Sequence, residues 1–232
     1  MNKDAIKLLA FDADDTLWDC QSFFARVEDD YCKLLADYGS PAEISEALFH
    51  TETANMPLLG YGSKAFTISL IENAVRVSGG RVKGETISQI VMLGKSLLEL
   101  PATPLAGVRD SLAALSESGR YQMVVFTKGE ILDQENKLRR SGLEHYFDDY
   151  VVVADKTARE YRRLCERFGV GINELLMVGN SFKSDIEPVL RLGGYAVHIP
   201  SQMMWKHEET EEYCHSHLVR LTSFSELQGL LL

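Results

Sequence analysis

The sequence predicts an α/β protein, a parallel sheet between helical layers, with an all-α block inserted after the first strand. Three patterns predict it. The runs LLAF, MVVF and LLMV are unbroken apolar stretches, as expected of strands buried on both faces of a parallel sheet. Amphipathic helices of about ten residues separate them, the length a right-handed crossover requires. Between Gln21 and about Leu100 strand signals vanish and apolar residues recur only at three- and four-residue spacing.

The elements follow in order. Lys7 to Phe11 reads as the first strand. QSFFARVEDDYCKLLADYG, PAEISEALFH, KAFTISLIENAVRVS and ETISQIVMLGKSLLEL then read as helices of a small bundle. After Pro101 the alternation resumes: GVRDSLAALSESG is a helix closed by Gly119, YQMVVF a strand, ILDQENKLRRSG a helix, YVVVA a strand and REYRRLCERFG a helix. LLMVG is a strand, SDIEPVLRLGG a helix, YAVHIP a strand, HLVRL a weaker final strand, and Ser225 to Leu230 a short helix. The division expected is therefore residues 1–18 and 101–232 for the α/β domain and 19–100 for the helical insertion.

Composition sets the setting. The chain has 232 residues, 45% hydrophobic and 25% charged, with a formal net charge of −10. No long basic run is present, which argues against nucleic acid as a partner. The four cysteines (Cys20, Cys32, Cys165, Cys214) form no CxxC pair and read as reduced thiols. MNKDAIKLLAF lacks the apolar core of a signal peptide, and no window reaches the apolar length of a membrane span. The expectation is a cytoplasmic protein without a membrane partner, monomer or homodimer.

In a sheet of this kind ligands lie beyond the carboxyl ends of the strands. After the first strand stand Asp12 and Asp14, with Asp15 and Asp19 close behind; after YQMVVF stand Thr127, Lys128 and Gly129. After YVVVA come Asp155 and Lys156, and after LLMV comes GNSFKSD, Gly179 to Asp185. Crowded carboxylates raise one another's pKa and call for solvent or a cation. Carboxylate, hydroxyl, ammonium and amide at four strand ends make a phosphate and metal site.

These four segments resemble, in order and spacing, the haloacid dehalogenase (HAD) superfamily. DADDT resembles its DxDxT motif, Thr127 its second-motif hydroxyl, Lys156 its basic third motif, and GNSFKSD its acidic fourth, usually GDSxxxD. The resemblance spans essentially the whole chain and implies a three-layer Rossmann-like (HAD-like) core with a helical cap. It also implies a Mg²⁺-dependent phosphatase acting on a small phosphorylated metabolite through an aspartyl-phosphate intermediate. Asp12 is then the nucleophile, which needs a cation to approach a phosphate dianion. Asp14 would protonate the leaving oxygen and later deprotonate water. Thr127, Lys128 and Lys156 would bind the phosphoryl group. Asp12, the Asp14 carbonyl, Asn180 and Asp185 are the expected metal ligands, with Asn180 standing where the family usually has an aspartate. Dehalogenases proper lack the second aspartate because a halide leaves without a proton. A phosphomutase of the same superfamily, a non-catalytic binder and a signalling receiver are the alternatives. A receiver carries its phosphoacceptor after a middle strand and has no helical insertion.

Two further segments carry candidate residues. In LLGYGSK, Leu58 to Lys64, two glycines flank Tyr61, so that Tyr61 and Lys64 are candidates to read the esterified group of a substrate, against an ordinary helix-linking turn. In WKHEETEEYCHSH, Trp205 to His217, no metal-ligand spacing occurs and the glutamates read as a solvated face, although Trp205 or His207 follows a strand end. Asp15 reads as a capping residue, Asp19 as a solvated one, and His50, His145 and His198 as structural.

Overall fold

The computed structural model describes residues 3–232 and divides the chain into two compact units. Residues 3–21 and 101–232 form one, and Ser22–Leu100 the other.

In the first unit six strands build one sheet: β1 Leu8–Phe11, β2 Gln122–Lys128, β3 Asp149–Val153, β4 Leu175–Gly179, β5 Tyr195–His198 and β6 Leu218–Arg220. Every pairing is parallel, in the order β3-β2-β1-β4-β5-β6. The order reverses at β1, so the chain after β1 and the chain after β4 leave the sheet side by side. Side chains alternate in direction along a strand, and both faces of β1 are covered. Leu8 and Ala10 join Val124, Phe126, Met177, Tyr161, Leu164 and Val189 in one core. Phe11, pointing the other way, packs its ring on Phe147 and Phe224 at 5.7 and 6.0 Å. The weak signal at HLVRL is a three-residue edge strand.

The helical unit holds α1 Gln21–Leu34, α2 Pro41–Leu59, α3 Ser63–Val77 and α4 Gly84–Leu97. Ser40 and Glu43 form a reciprocal capping box at the start of α2, with Pro41 in the first turn, where its missing N–H costs nothing. Helices α3 and α4 meet at Gly94, where a Cβ would stand 2.0 Å from Thr67 Oγ1. The core, from Tyr31 through Leu48, Phe66 and Leu70 to Leu97, encloses one polar pair: Asn73 Nδ2 donates to Tyr31 Oη (2.8 Å), which donates to Leu70 O (3.0 Å). The expected loop Leu58–Lys64 is shorter than its glycines suggest. Helix α2 runs through Leu59 and α3 starts at Ser63, leaving Gly60–Gly62.

The remaining helices belong to the α/β unit: α5 Val108–Ser118, α6 Ile131–Ser141, α7 Ala158–Phe168, α8 Glu187–Leu192 and α9 Glu226–Leu231. The segment SDIEPVLRLGG, expected as one helix, divides. Residues Phe182–Ile186 form a wide turn of π type, and α8 begins only at Glu187, with Pro188 in its first turn. Among the described residues no helix is long and apolar enough to cross a membrane, and none of the four cysteines is paired.

Candidate active site

Asp12 leaves β1 with its amide donating to Val178 O of β4 (2.9 Å), which fixes it at the reversal of strand order. Lys156 follows β3 and immediately precedes Thr157, whose hydroxyl caps α7. Its ammonium, 1% exposed, lies between Asp12 Oδ1 and Asp185 Oδ1, the latter at 2.6 Å. The second oxygen of Asp185 accepts from Ser181 N (3.0 Å). A residue larger than glycine at 179 would prevent this, since a Cβ there would stand 2.3 Å from Asp185 Oδ2. Burial, then Asp185, push Asp12 up to about 7 although Lys156 pulls the other way. Burial opposes the charge of Lys156, but Asp12 and Asp185 outweigh it and hold the ammonium above its ordinary range. One cation thus serves two buried carboxylates.

Beside this cluster the Asn180 amide meets three oxygens. With its nitrogen turned inward it donates to Thr16 Oγ1 (3.0 Å), Asp12 Oδ2 (3.1 Å) and the Asp14 carbonyl (3.3 Å). Thr16 Oγ1 also donates to Asp12 Oδ2 (3.2 Å). Half a turn of the amide presents its oxygen instead. Asp12 Oδ2, Asp14 O and Asn180 Oδ1 then form an all-oxygen set, which suits a hard cation such as Mg²⁺. Among the described residues no three or more His, Cys, Asp or Glu side chains are grouped as metal ligands. The set here draws on one main-chain carbonyl and one amide, and Asp185 has both oxygens engaged elsewhere.

The Asp14 carboxylate points to α6. Trp18 Nε1 donates to Oδ1 (2.8 Å), Gln134 Nε2 donates to Oδ2 (2.8 Å), and Lys137 Nζ stands 3.2 and 3.0 Å from the two oxygens. Burial acts to raise this carboxyl, yet Lys137, Gln134 and Trp18 together hold it below its ordinary value. None of the three was singled out from sequence. A signal existed, because α6 is amphipathic the wrong way round: Ile131 and Leu132 are 61% and 57% exposed while Asp133, Gln134 and Lys137 are buried. A helix that turns its polar face inward has a polar group to meet.

Thr127 is buried at the end of β2, with its hydroxyl 3.4 Å from Lys128 O. Lys128 Nζ donates to Ser184 Oγ (2.9 Å) and to Glu208, which also accepts from Ser181 Oγ and from Ser184 Oγ (2.6 Å). Glu208 is buried, so the reading of this stretch as a solvated glutamate face fails at that residue. Three donors, one from the last residue of β2 and two from the turn after β4, converge there. The neighbouring Trp205 ring lies 5.8 Å from Lys128 Nζ, and Lys183 Nζ donates to His207 O (2.7 Å). Asp15, at a positive φ of 60°, accepts through Oδ1 from the amides of Cys20 and Gln21 at 2.9 Å, the capping role expected of it. Buried His198 bonds to Asn180 O (3.0 Å). Tyr61, half-buried, and Lys64, exposed, belong to the helical unit.

A six-stranded doubly wound sheet with carboxylates and a shared ammonium at its strand ends defines an α/β enzyme whose chemistry sits on an acidic centre. The chain belongs to the haloacid dehalogenase-like hydrolases, whose family model matches residues 6–193. It is similar to a haloacid dehalogenase-like family hydrolase of Xanthomonas campestris of solved structure, 32% identical, with a TM-score of 0.87 over 98% of this chain and 91% of that one. It is also 26% identical over 208 residues to a glyceraldehyde 3-phosphate phosphatase of Methanothermobacter thermautotrophicus, covering 85% of this chain and 87% of the relative. The L-2-haloacid dehalogenase of Xanthobacter autotrophicus shares the fold at 18% identity, with a TM-score of 0.66 over 97% of this chain and 98% of that one.

Proposed function

We propose that the chain is a Mg²⁺-dependent phosphatase that hydrolyses a small phosphorylated metabolite through an aspartyl-phosphate intermediate on Asp12. The observation that carries this reading is Asp14, held by three donors two residues after Asp12. A halide needs no proton to depart, whereas an alkoxide does, so a positioned second carboxylate belongs to phosphate ester chemistry. The similarity to phosphatases acting on glyceraldehyde 3-phosphate points to substrates of that size.

Asp12 attacks phosphorus and the ester oxygen departs with a proton from Asp14. The arriving phosphate dianion raises the Asp14 pKa, offsetting the depression caused by Lys137. Water then attacks phosphorus, its proton passes to Asp14, the bond to Asp12 breaks, and inorganic phosphate leaves. Lys156 and the Thr127 hydroxyl meet the equatorial oxygens, where preorganised donors contribute several kcal/mol by the usual order of magnitude. Asp185, bonded to Lys156 Nζ and Ser181 N, holds that ammonium in place. Asp12 Oδ2, the Asp14 carbonyl and the Asn180 amide oxygen would hold Mg²⁺, which supplies the positive charge that offsets repulsion between a carboxylate and a phosphate dianion.

The test is Asp12→Asn assayed with Mg²⁺ against glyceraldehyde 3-phosphate, other sugar and acid phosphates, and 4-nitrophenyl phosphate. An amide is far too weak a nucleophile, so phosphate release is expected to vanish while the far-UV spectrum is unchanged. Turnover within tenfold of the parent would falsify the mechanism.

A further inference from the structure

We propose that Lys137 is a positioning residue for the second half-reaction, holding Asp14 as the proton acceptor for the water that hydrolyses the phosphoenzyme; the inference rests on the phosphatase reading. Lys137 stands one helical turn after Gln134 on α6, and its side chain is 2% exposed. Burying an ammonium is costly unless it is paired, and its nearest carboxylates are Asp14 and, at 3.4 Å, Asp133 of its own helix. Its other neighbour, Cys20 Sγ at 3.7 Å, is a poor acceptor.

The donor pattern indicates which half-reaction this serves. Asp14 Oδ1 faces the Trp18 indole N–H and Lys137; Asp14 Oδ2 faces the Gln134 amide and Lys137. All three partners donate and none accepts. Such a surround complements the ionised carboxylate, the form in which Asp14 stands once the leaving oxygen has taken its proton and water is next to react. It also fixes both torsions of the side chain, so the carboxylate keeps one orientation. The step served is balanced: the water oxygen bonds to phosphorus, one water proton goes to Asp14, the bond to the Asp12 oxygen breaks, and Asp12 returns as a carboxylate.

The experiment is Lys137→Met, and Gln134→Leu as a milder change, assayed with 4-nitrophenyl phosphate in Mg²⁺ at enzyme concentrations that resolve the first turnover. Nitrophenolate leaves without a proton, so formation of the phosphoenzyme does not depend on Asp14. For Lys137→Met, kcat is expected to fall about 100-fold and KM to fall with it. Then kcat/KM stays within about threefold, and a burst approaching one equivalent of nitrophenolate appears as the phosphoenzyme accumulates. Gln134→Leu is expected to show the same split at about tenfold. If either folded variant loses kcat and kcat/KM together with no burst, or loses neither, the inference is overturned and the role of Lys137 is packing. Should Lys137→Met not fold, Gln134→Leu decides by the same criterion. Failure of the phosphatase reading looks different: Asp12→Asn would then turn over normally.

Discussion

Replacing Lys156 by methionine removes the charge and keeps most of the volume, so its cost isolates what the ammonium does. The group is 1% exposed and shared by Asp12 and Asp185, whose side chains are 10% and 1% exposed. Removing one partner of a buried ion pair costs about 3–5 kcal/mol, because the surviving charge is left uncompensated. Two carboxylates survive here, but Asp12, pushed up to about 7 even beside the ammonium, can take up a proton, so the single-pair figure applies at pH 8. For a chain of this length each kcal/mol shifts melting by about 2–4 °C, which gives a fall of roughly 6–20 °C. The sign with pH follows from linkage. In the variant Asp12, raised by burial and by Asp185, loses the cation that pulls it down, so its folded-state pKa rises further above the unfolded 3.8; the native state then binds more protons than the unfolded state, and stability falls as pH rises from about 4 through that value. The deficit against the parent is therefore greatest at pH 8 and shrinks below about 1 kcal/mol near pH 4. Urea unfolding followed by circular dichroism across pH 4–8, without Mg²⁺, measures it. A deficit that does not change with pH, or one under about 1 kcal/mol at pH 8, would show that Lys156 is not clamped between these acids.

Asn180→Asp adds a charge to the oxygen set beside Asp12 and is expected to lower the Mg²⁺ dissociation constant about tenfold, read by calorimetry with the metal alone. Gly179→Ala would drive a Cβ to 2.3 Å from Asp185 Oδ2, displacing the residue that holds Lys156; a loss of about 1–3 kcal/mol in urea unfolding and a large fall in kcat are expected together. In the helical unit, burial and then Glu28 raise Glu52 to about 8. A raised carboxyl pKa stabilises the fold below about pH 4.5 and loses that contribution as pH rises to 8, so Glu52→Gln is expected to exceed the parent by about 1–3 kcal/mol at pH 9 and match it at pH 4.5.

The sheet was legible because its strands are buried on both faces and so appear as unbroken apolar runs, and because carboxylate, hydroxyl and ammonium groups stand directly after them. Asp12, Lys156 and Asp185 are found together for that reason, although they lie as far as 173 positions apart in the chain. The division of SDIEPVLRLGG was hidden because proline tolerates the first turn of a helix and does not mark where that turn begins. Lys137 and Gln134 escaped for a different reason. A buried lysine and a surface lysine look alike in a helical pattern, and only the exposed Ile131 and Leu132 distinguish this face from an ordinary one. Glu208 was misjudged because charge composition averages over a stretch, while burial is decided residue by residue.

Glu208 lies in an irregular stretch between β5 and β6, the kind of connection in which insertions and substitutions are ordinarily absorbed without effect. Its carboxylate, however, ties Lys128 at the end of β2 to Ser181 and Ser184 after β4. Ser181 N in turn holds Asp185, which holds Lys156. A change in the length of that connection would therefore act on the acidic centre through a relay of hydrogen bonds, leaving every residue of the four motifs untouched. Two relatives with identical motifs could differ in activity for a reason that lies wholly in what links β5 to β6.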